Sequence, residues 1–321
     1  MCAVIDARRA GLERGNDISF DLVARIYREC DDFGPVIDWI GGEPLLYRRI
    51  GDLLQLAAHS RSISVLTTNG LLLGDYAAAI ARSSLPVVQI SLDGWDDESQ
   101  RLRGNVTHSF ERIVKGVAEL QRARAERPFP ILRVLTATTR HNYQHLDKIL
   151  RVVHELGIDY WGIANYFYVN EPAMRLHRAF ALEHGLTGSI AGHAIEREVY
   201  LSPPEVVLLE QSLCRVREQH QSLGVRIAYN WKLELDRYYS TRMPSKHCTC
   251  ELPYSRLDIH TDGSYAVCVS GKTIGNAASE SILEAWHGVS LAAYRRMYQR
   301  NKPMPMCFRC CGMSNTIRFD P

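Results

Sequence analysis

Apolar and polar positions follow two alternating rhythms through the first half of the chain. Short apolar runs, Val36–Ile40, Ile63–Leu66, Val87–Ser91, Ile131–Thr136 and the aromatic Tyr160–Val169, end in glycine, asparagine, aspartate or threonine. Between them lie longer stretches with apolar positions three to four residues apart: Ser19–Asp31, about Tyr47–His59, about Gly74–Arg82, Ser109–Arg124 and Leu146–Leu156. The short runs predict buried strands and the longer stretches amphipathic helices. Their alternation predicts βα units, a parallel sheet and right-handed crossovers. Five strands are visible, and a sixth is expected ahead of Ser19, where this chain lacks it. From Asn170 to Ser245 the rhythm loosens, with a helix near Pro204–Leu223 and a short strand at Val225–Trp231. Beyond Lys246 cysteine, glycine and proline take over, so a boundary is expected near Thr241–Lys246, dividing the chain into 1–240 and 241–321.

Composition narrows the function classes. With 321 residues, 46% hydrophobic and 23% charged, the chain can bury a sizeable core. A formal net charge of +2 gives no electrostatic case for nucleic acid or an anionic membrane. No apolar run approaches the roughly 20 residues that span a bilayer. Asp6, Arg8 and Arg9 come too early for a signal-peptide core, so the expected location is the cytosol. There are nine cysteines, Cys2, Cys30, Cys214, Cys248, Cys250, Cys268, Cys307, Cys310 and Cys311, and six of them fall in the last quarter. In a reducing compartment such clustering favours metal over disulfides. Cys30 and Cys214 lie in helical patterns and are expected to be buried structural thiols.

The polar motifs fall at one kind of place. Gly41-Gly42-Glu43-Pro44, Thr68-Asn69, Ser91 with Asp93, and Thr138 with Asn142 each follow the C-terminal end of an expected strand. That rim is where parallel α/β barrels build their sites. Any one of these motifs serves equally well as a turn or cap; four in register point to one ligand gripped from several strands. Two glycines let the backbone approach a ligand, and Glu43 offers a carboxylate for an ammonium group.

In the last quarter, Cys250 is followed after seventeen residues by Cys268, and Cys307-x-x-Cys310 comes after a helical stretch. Two pairs of thiolates at this spacing can hold one iron–sulfur cluster or one zinc, and spacing alone does not choose.

The order VIDWIGGEPLL (Val36–Leu46), LTTNG (Leu66–Gly70), ISLDG (Ile90–Gly94) and Arg103-Gly104 resembles the radical S-adenosylmethionine (SAM) superfamily over about Met1–Val169. The fold this implies is α/β: a partial (β/α)6 barrel, here lacking its first strand. The resemblance assigns SAM binding to Gly41, Gly42, Glu43, Ser91, Asp93, Arg103 and Asn142; Thr68 and Asn69 match a strand-end motif without necessarily touching SAM. The family's CxxxCxxC motif holds a [4Fe–4S] cluster that leaves one iron open for SAM. Only Cys2 is present there, which reads as the third cysteine, with the other two upstream of Met1 and the ligand set incomplete in this chain. The competing reading is a degenerate paralogue that binds zinc or a cluster without catalysis.

The C-terminal region resembles the SPASM/twitch auxiliary domain, a small α+β, cysteine-rich module. The hairpin LDIHTDGSYAVC (Leu257–Cys268), Ile274-Gly275-Asn276, SILEAWHG (Ser281–Gly288) and the closing CxxC carry that likeness. It implies one auxiliary [4Fe–4S] cluster on Cys250, Cys268, Cys307 and Cys310, with Cys248 and Cys311 as extras. The family chemistry implies a 5′-deoxyadenosyl radical that abstracts hydrogen from substrate, an oxidoreductase-like reaction fed by a flavodoxin- or ferredoxin-type donor. A peptide or protein substrate and a small alcohol, sugar or nucleotide both remain open. The chain as it stands, with one of three cluster cysteines, is expected not to cleave SAM.

Overall fold

The computed structural model describes residues 17–83, 85–104, 106–125, 127–165, 170–186, 200–240, 242, 250–268 and 272–310. Cys2, Cys248 and Cys311 lie outside them, as does any strand ahead of Ser19 within residues 1–16. The chain packs as two compact units. Unit 1 comprises residues 1–5, 23–164 and 204–229; unit 2 comprises 6–22, 165–203 and 230–321.

Unit 1 is the βα succession. In chain order it runs α1 (Phe20–Cys30), β1 (Val36–Trp39), α2 (Ile50–His59), β2 (Ile63–Thr68), α3 (Leu73–Arg82), β3 (Val87–Ser91), α4 (Asp97–Gly104), α5 (Ser109–Arg124), β4 (Ile131–Thr138), α6 (Leu146–Glu155) and β5 (Tyr160–Asn165). After α7 (Glu171–His184), which belongs to unit 2, it closes with α8 (Pro203–Gln219) and β6 (Arg226–Ala228). The strands form one sheet in the order β1-β2-β3-β4-β5-β6. β1 with β2, β2 with β3, β3 with β4 and β5 with β6 all pair in parallel. Parallel strands in an order that never reverses take right-handed crossovers as a rule, which sets the connecting helices on a single face. The sixth strand thus stands at the C-terminal edge of the sheet. The short strand expected at Val225–Trp231 fills that place because Tyr160, Trp161 and Gly162 pair in register with Arg226, Ile227 and Ala228.

The helix-facing side of the sheet is apolar and dry. Leu66, Val88, Ile90 and Leu132 are fully buried, as is Trp161. Several polar side chains that enter this core are paired, while Thr138 Oγ1 at the end of β4 has no hydrogen-bond partner among the described residues. Trp39 Nε1 donates to Tyr27 Oη at 2.8 Å, and that hydroxyl shares a proton with Ser64 Oγ at 2.6 Å. Burial, partly offset by these two bonds, pushes the Tyr27 phenol up to about 12. Burial likewise pushes the Cys30 thiol up to about 11, as befits an inert structural cysteine. Cys214 departs from expectation and is exposed. The buried stripe of α8 is Val206, Leu209, Ser212, Leu213 and Val216, and position 214 lies off it.

Unit 2 contains α7, then α9 (Leu235–Tyr238), α10 (Leu252–Ser255), β7 (Asp258–Ile259), β8 (Ser264–Val267), β9 (Lys272–Asn276), α11 (Ile282–His287), α12 (Val289–Asn301) and a 3-10 turn at Pro305–Arg309. Strands β7, β8 and β9 make an antiparallel sheet in that order. Helix α11 opens with a reciprocal capping box between Ser281 and Glu284. Residues 170–186 and 230–240 group with unit 2. The physical reason is visible in two places: α7 packs on the Pro305–Arg309 turn, and Arg309 is bonded to Arg237, Tyr238 and Ser240.

Gly94 shows how the fold shapes its rim. The Gln100 side chain accepts from Asp93 N and Gly94 N at 2.9 and 2.8 Å, folding the start of α4 back over the end of β3. A Cβ on Gly94 would run into the Gln100 backbone nitrogen and stand 2.6 Å from its Cα. Gly94→Ala is therefore expected to cost about 1–3 kcal/mol as an overpacked site. Denaturant melts of the variant would register it, and an unchanged midpoint would contradict the close approach.

Candidate functional site

The C-terminal rim of the parallel sheet is stitched in two pairs. Glu43 joins the first two strands: its Oε1 accepts from Leu45 N at 3.1 Å and Thr68 Oγ1 at 2.6 Å, and its Oε2 accepts from Asn69 N at 2.8 Å. A carboxylate offers about four acceptor positions, so three bonds leave capacity for one further donor. Asn142 joins the next two strands. Its amide nitrogen donates to Asp93 O and Ala137 O, both at 2.9 Å, and its oxygen accepts from Thr139 N. The Asp93 carboxylate accepts from Ala137 N at 2.8 Å and forms an ion pair with Arg103.

The expected SAM residues therefore assemble at one edge, though several already have protein partners. Asn142 is buried and its amide is engaged by backbone on both ends. Ser91 is half-buried, and its hydroxyl has no hydrogen-bond partner among the described residues. Gly41 and Gly42 are exposed at the mouth. Gly41 has φ +143°, a conformation open to glycine, and a Cβ there would meet nothing within 4 Å. This open backbone beside a carboxylate with spare acceptor capacity fits the methionyl end of SAM. Beside the rim, Trp95 packs edge-on against His145 at 4.8 Å and carries Lys148 over its ring at 4.7 Å. Burial, followed by the Lys148 charge, lowers the affinity of His145 for its proton.

A second feature, missed in the sequence, crosses the sheet face opposite Leu66, Ile90, Val134 and Trp161. In register, Thr67 pairs with Gln89 and Gln89 with Arg133. Thr67 Oγ1 donates to Asp38 Oδ1 at 2.8 Å, and Gln89 Nε2 donates to Thr67 Oγ1 at 3.3 Å. Arg133 follows, and Gly162 beyond it leaves room: a Cβ there would lie 3.2 Å from Arg133 Nη2. Arg133 is half-buried and has no ionic or hydrogen-bonding partner among the described residues. Four strands thus present one polar row with a carboxylate at one end and a guanidinium at the other. The period-2 alternation of Ile63–Thr68 and Ile131–Thr138 was the available signal.

Unit 2 gathers cysteines from three separate elements. Cys250 precedes α10, Cys268 follows β8, and Cys307 and Cys310 lie on and just after the 3-10 turn. Cys250, Cys307 and Cys310 are buried and Cys268 half-buried. Cys268 has φ +67°, a left-handed backbone that a non-glycine residue holds only when its surroundings impose it. Cys250, Cys268 and Cys307 all lie within electrostatic reach of one buried hydroxyl, that of Tyr298. Thiolates are soft ligands, and this largely buried set of four fits an iron–sulfur cluster.

These two units define a parallel α/β protein with a ligand rim on its strand ends and a thiolate-lined site suited to an iron–sulfur cluster. Residues 1–153 match the radical SAM superfamily, and residues 248–311 match the SPASM iron-sulfur cluster-binding domain. The chain thus joins a radical SAM region to a SPASM domain. Radical SAM proteins bind SAM and a [4Fe–4S] cluster, and SPASM domains bind auxiliary clusters. Among curated proteins, it is 34% identical over 106 residues to a probable GTP 3',8-cyclase of Methanocella arvoryzae, covering 33% of this chain and 34% of that one. It is 28% identical over 130 residues to an AdoMet-dependent heme synthase of Oleidesulfovibrio alaskensis, covering 40% and 32%. The chain thus spans about a third of the length of these relatives.

The fold is similar to Streptococcus suis SuiB bound to S-adenosylmethionine, with TM-score 0.65 and 18% identity, covering 97% of this chain and 68% of that one. It is similar also to anSMEcpe with bound AdoMet and the Cp18Cys peptide, with TM-score 0.63 and 15% identity, covering 99% and 84%. Among the described residues no helix is long and apolar enough to cross a membrane.

Proposed function

We propose that this chain is the body of a radical SAM enzyme that abstracts hydrogen from a peptide or protein substrate. When bound, SAM and its cluster supply the 5′-deoxyadenosyl radical. Cys2 is the one residue of this chain assigned to that cluster. Glu43 accepts the SAM ammonium group while its other lone pairs hold the ends of β1 and β2 together. Gly41 and Gly42 give backbone access, and the Ser91 hydroxyl is available to a polar group of SAM. Asp93, Arg103 and Asn142 hold the β3 and β4 ends in place beside the carboxylate and ribose of SAM. An auxiliary cluster on Cys250, Cys268, Cys307 and Cys310 completes the electron path, with a flavodoxin- or ferredoxin-type donor as partner.

The observation that carries a peptide substrate is the polar row Asp38–Thr67–Gln89–Arg133. It crosses three inter-strand spacings, roughly 14 Å, the reach of about four extended residues. Structures of SuiB with its precursor peptide SuiA share this fold at 17% identity, which supports the reading. A small phosphorylated substrate is the second reading, favoured by the Arg133 guanidinium and by the GTP 3',8-cyclase relatives. Anaerobic incubation of an extended protein that supplies all three cysteines of the CxxxCxxC motif, with SAM, a reductant and either GTP or short peptides encoded beside the gene, separates the two. The expected result is 5′-deoxyadenosine with a mass change in a peptide; product from GTP alone would replace this reading with the second.

Glu43→Ala is expected to weaken SAM binding by about 1.5–3 kcal/mol, or roughly 10–100-fold, the worth of a charge-assisted hydrogen bond. Iron bound in unit 2 should be unchanged. Calorimetry with SAM and iron analysis on one preparation test this, and unaltered SAM affinity in a thermally weakened protein would make Glu43 a brace alone.

A further inference from the structure

Tyr298 lies on α12, 2% exposed, with its hydroxyl oxygen accepting the Cys250 N–H at 2.8 Å. That bond uses a lone pair and leaves the phenolic proton to find an acceptor, as buried tyrosine hydroxyls do. Cys250 is one of four cysteines that three separate elements of the unit carry. We propose that Tyr298 donates its hydroxyl proton to sulfur at the auxiliary cluster held by Cys250, Cys268, Cys307 and Cys310, and thereby raises that cluster's reduction potential. This rests on the cluster reading of the cysteine site.

The physics has one sign. A reduced cluster carries one more negative charge than an oxidised one, so a hydrogen bond to its sulfur stabilises the reduced form more. A tyrosine hydroxyl carries its proton at neutral pH, so the group is available as a donor. The same hydroxyl fixes Cys250 through its backbone N–H, making Tyr298 a positioning residue that acts through the thiolates.

The test uses the full chain, anaerobically reconstituted, with redox titration of the paramagnetic signal that added SAM does not perturb. Tyr298→Phe should keep wild-type iron and sulfide, and its midpoint should fall. At the wild-type midpoint the oxidised-to-reduced ratio should rise about tenfold, equivalent to about 59 mV for one electron. Replacement of Tyr298 by 3-fluorotyrosine, a more acidic phenol of nearly the same shape, should move the midpoint the opposite way. Unmoved midpoints in both variants, with the cluster intact, would overturn the proposal and leave the site reading standing. A Tyr298→Phe protein without cluster, together with an unmoved midpoint in the fluorinated protein, would assign Tyr298 a packing role and also overturn it. Zinc without sulfide in the wild-type protein would overturn the site reading and the proposal together.

Discussion

Arg309→Met should unfasten the closing turn of unit 2 and cost roughly 3–5 kcal/mol, the range for breaking a buried charged network. Arg309 is fully buried inside Cys307-Phe308-Arg309-Cys310. Its guanidinium donates to Tyr238 O, to Phe308 O at 2.5 Å, and to Arg237 O and Ser240 O at 2.9 and 2.6 Å. The Phe308 ring lies 3.9 Å beneath it. Methionine fills part of the volume yet strands four carbonyls, and each unsatisfied buried acceptor costs about 1–3 kcal/mol before relaxation. Arg309→Lys should recover little, because one ammonium cannot span acceptors arranged for a planar fork. Hydrogen exchange should report the loss as faster exchange in residues 235–240 and 304–310, with unit 1 protected as before. Wild-type protection in both segments would show that the turn holds without its arginine.

The second large effect concerns the cysteines themselves. Cys250→Ala and Cys307→Ala are each expected to abolish the auxiliary cluster, taking iron and sulfide in unit 2 to background. Both thiols are buried and both lie beside Tyr298, so neither is replaceable by water without rebuilding the pocket. Cys268→Ala should have the same effect, since its left-handed backbone presents the side chain from the end of β8. Cys214→Ala, on an exposed helix face, should keep the cluster intact, as should Cys30→Ala within its own apolar core. Cys248→Ala and Cys311→Ala are expected to retain it, because the likeness to the single-cluster auxiliary domain makes both cysteines extras. Mössbauer spectra with sulfide analysis on each variant check the pattern. Loss in Cys248→Ala with retention in Cys250→Ala would reassign the ligand.

Much of unit 1 was legible because each strand is a short apolar run that stops at a polar motif. Ile63–Thr68 and Val87–Ser91 end where Asn69 and Asp93 begin the rim, and the structure places those motifs side by side. What sequence could not provide was register. Asp38, Thr67, Gln89 and Arg133 are unremarkable one at a time, and they become a row only once the strands are aligned. Nor could it divide the rim residues between ligand and scaffold, since the asparagine that reads as a ligand at Asn142 is bonded on both ends to backbone. In unit 2 the cysteine spacing was plain, while Tyr298 and Arg309 were not. Their roles depend on burial and on partners 48 and 71 residues away. Cys214 was misread because a helical pattern identifies a helix before it identifies which face is buried.

The discontinuity of unit 2 sets the order in which this protein can become itself. Helix α7 leaves the ribosome long before the Pro305–Arg309 turn on which it packs. At about 5–20 residues per second, the wait is on the order of ten seconds. During that interval α7 waits for the Pro305–Arg309 turn, while the chain that follows it completes the parallel sheet with β6. Nascent chains stalled between residues 230 and 300 are therefore the ones a chaperone would meet, and a fragment begun at residue 241 would inherit the cysteines without the helix that covers their turn.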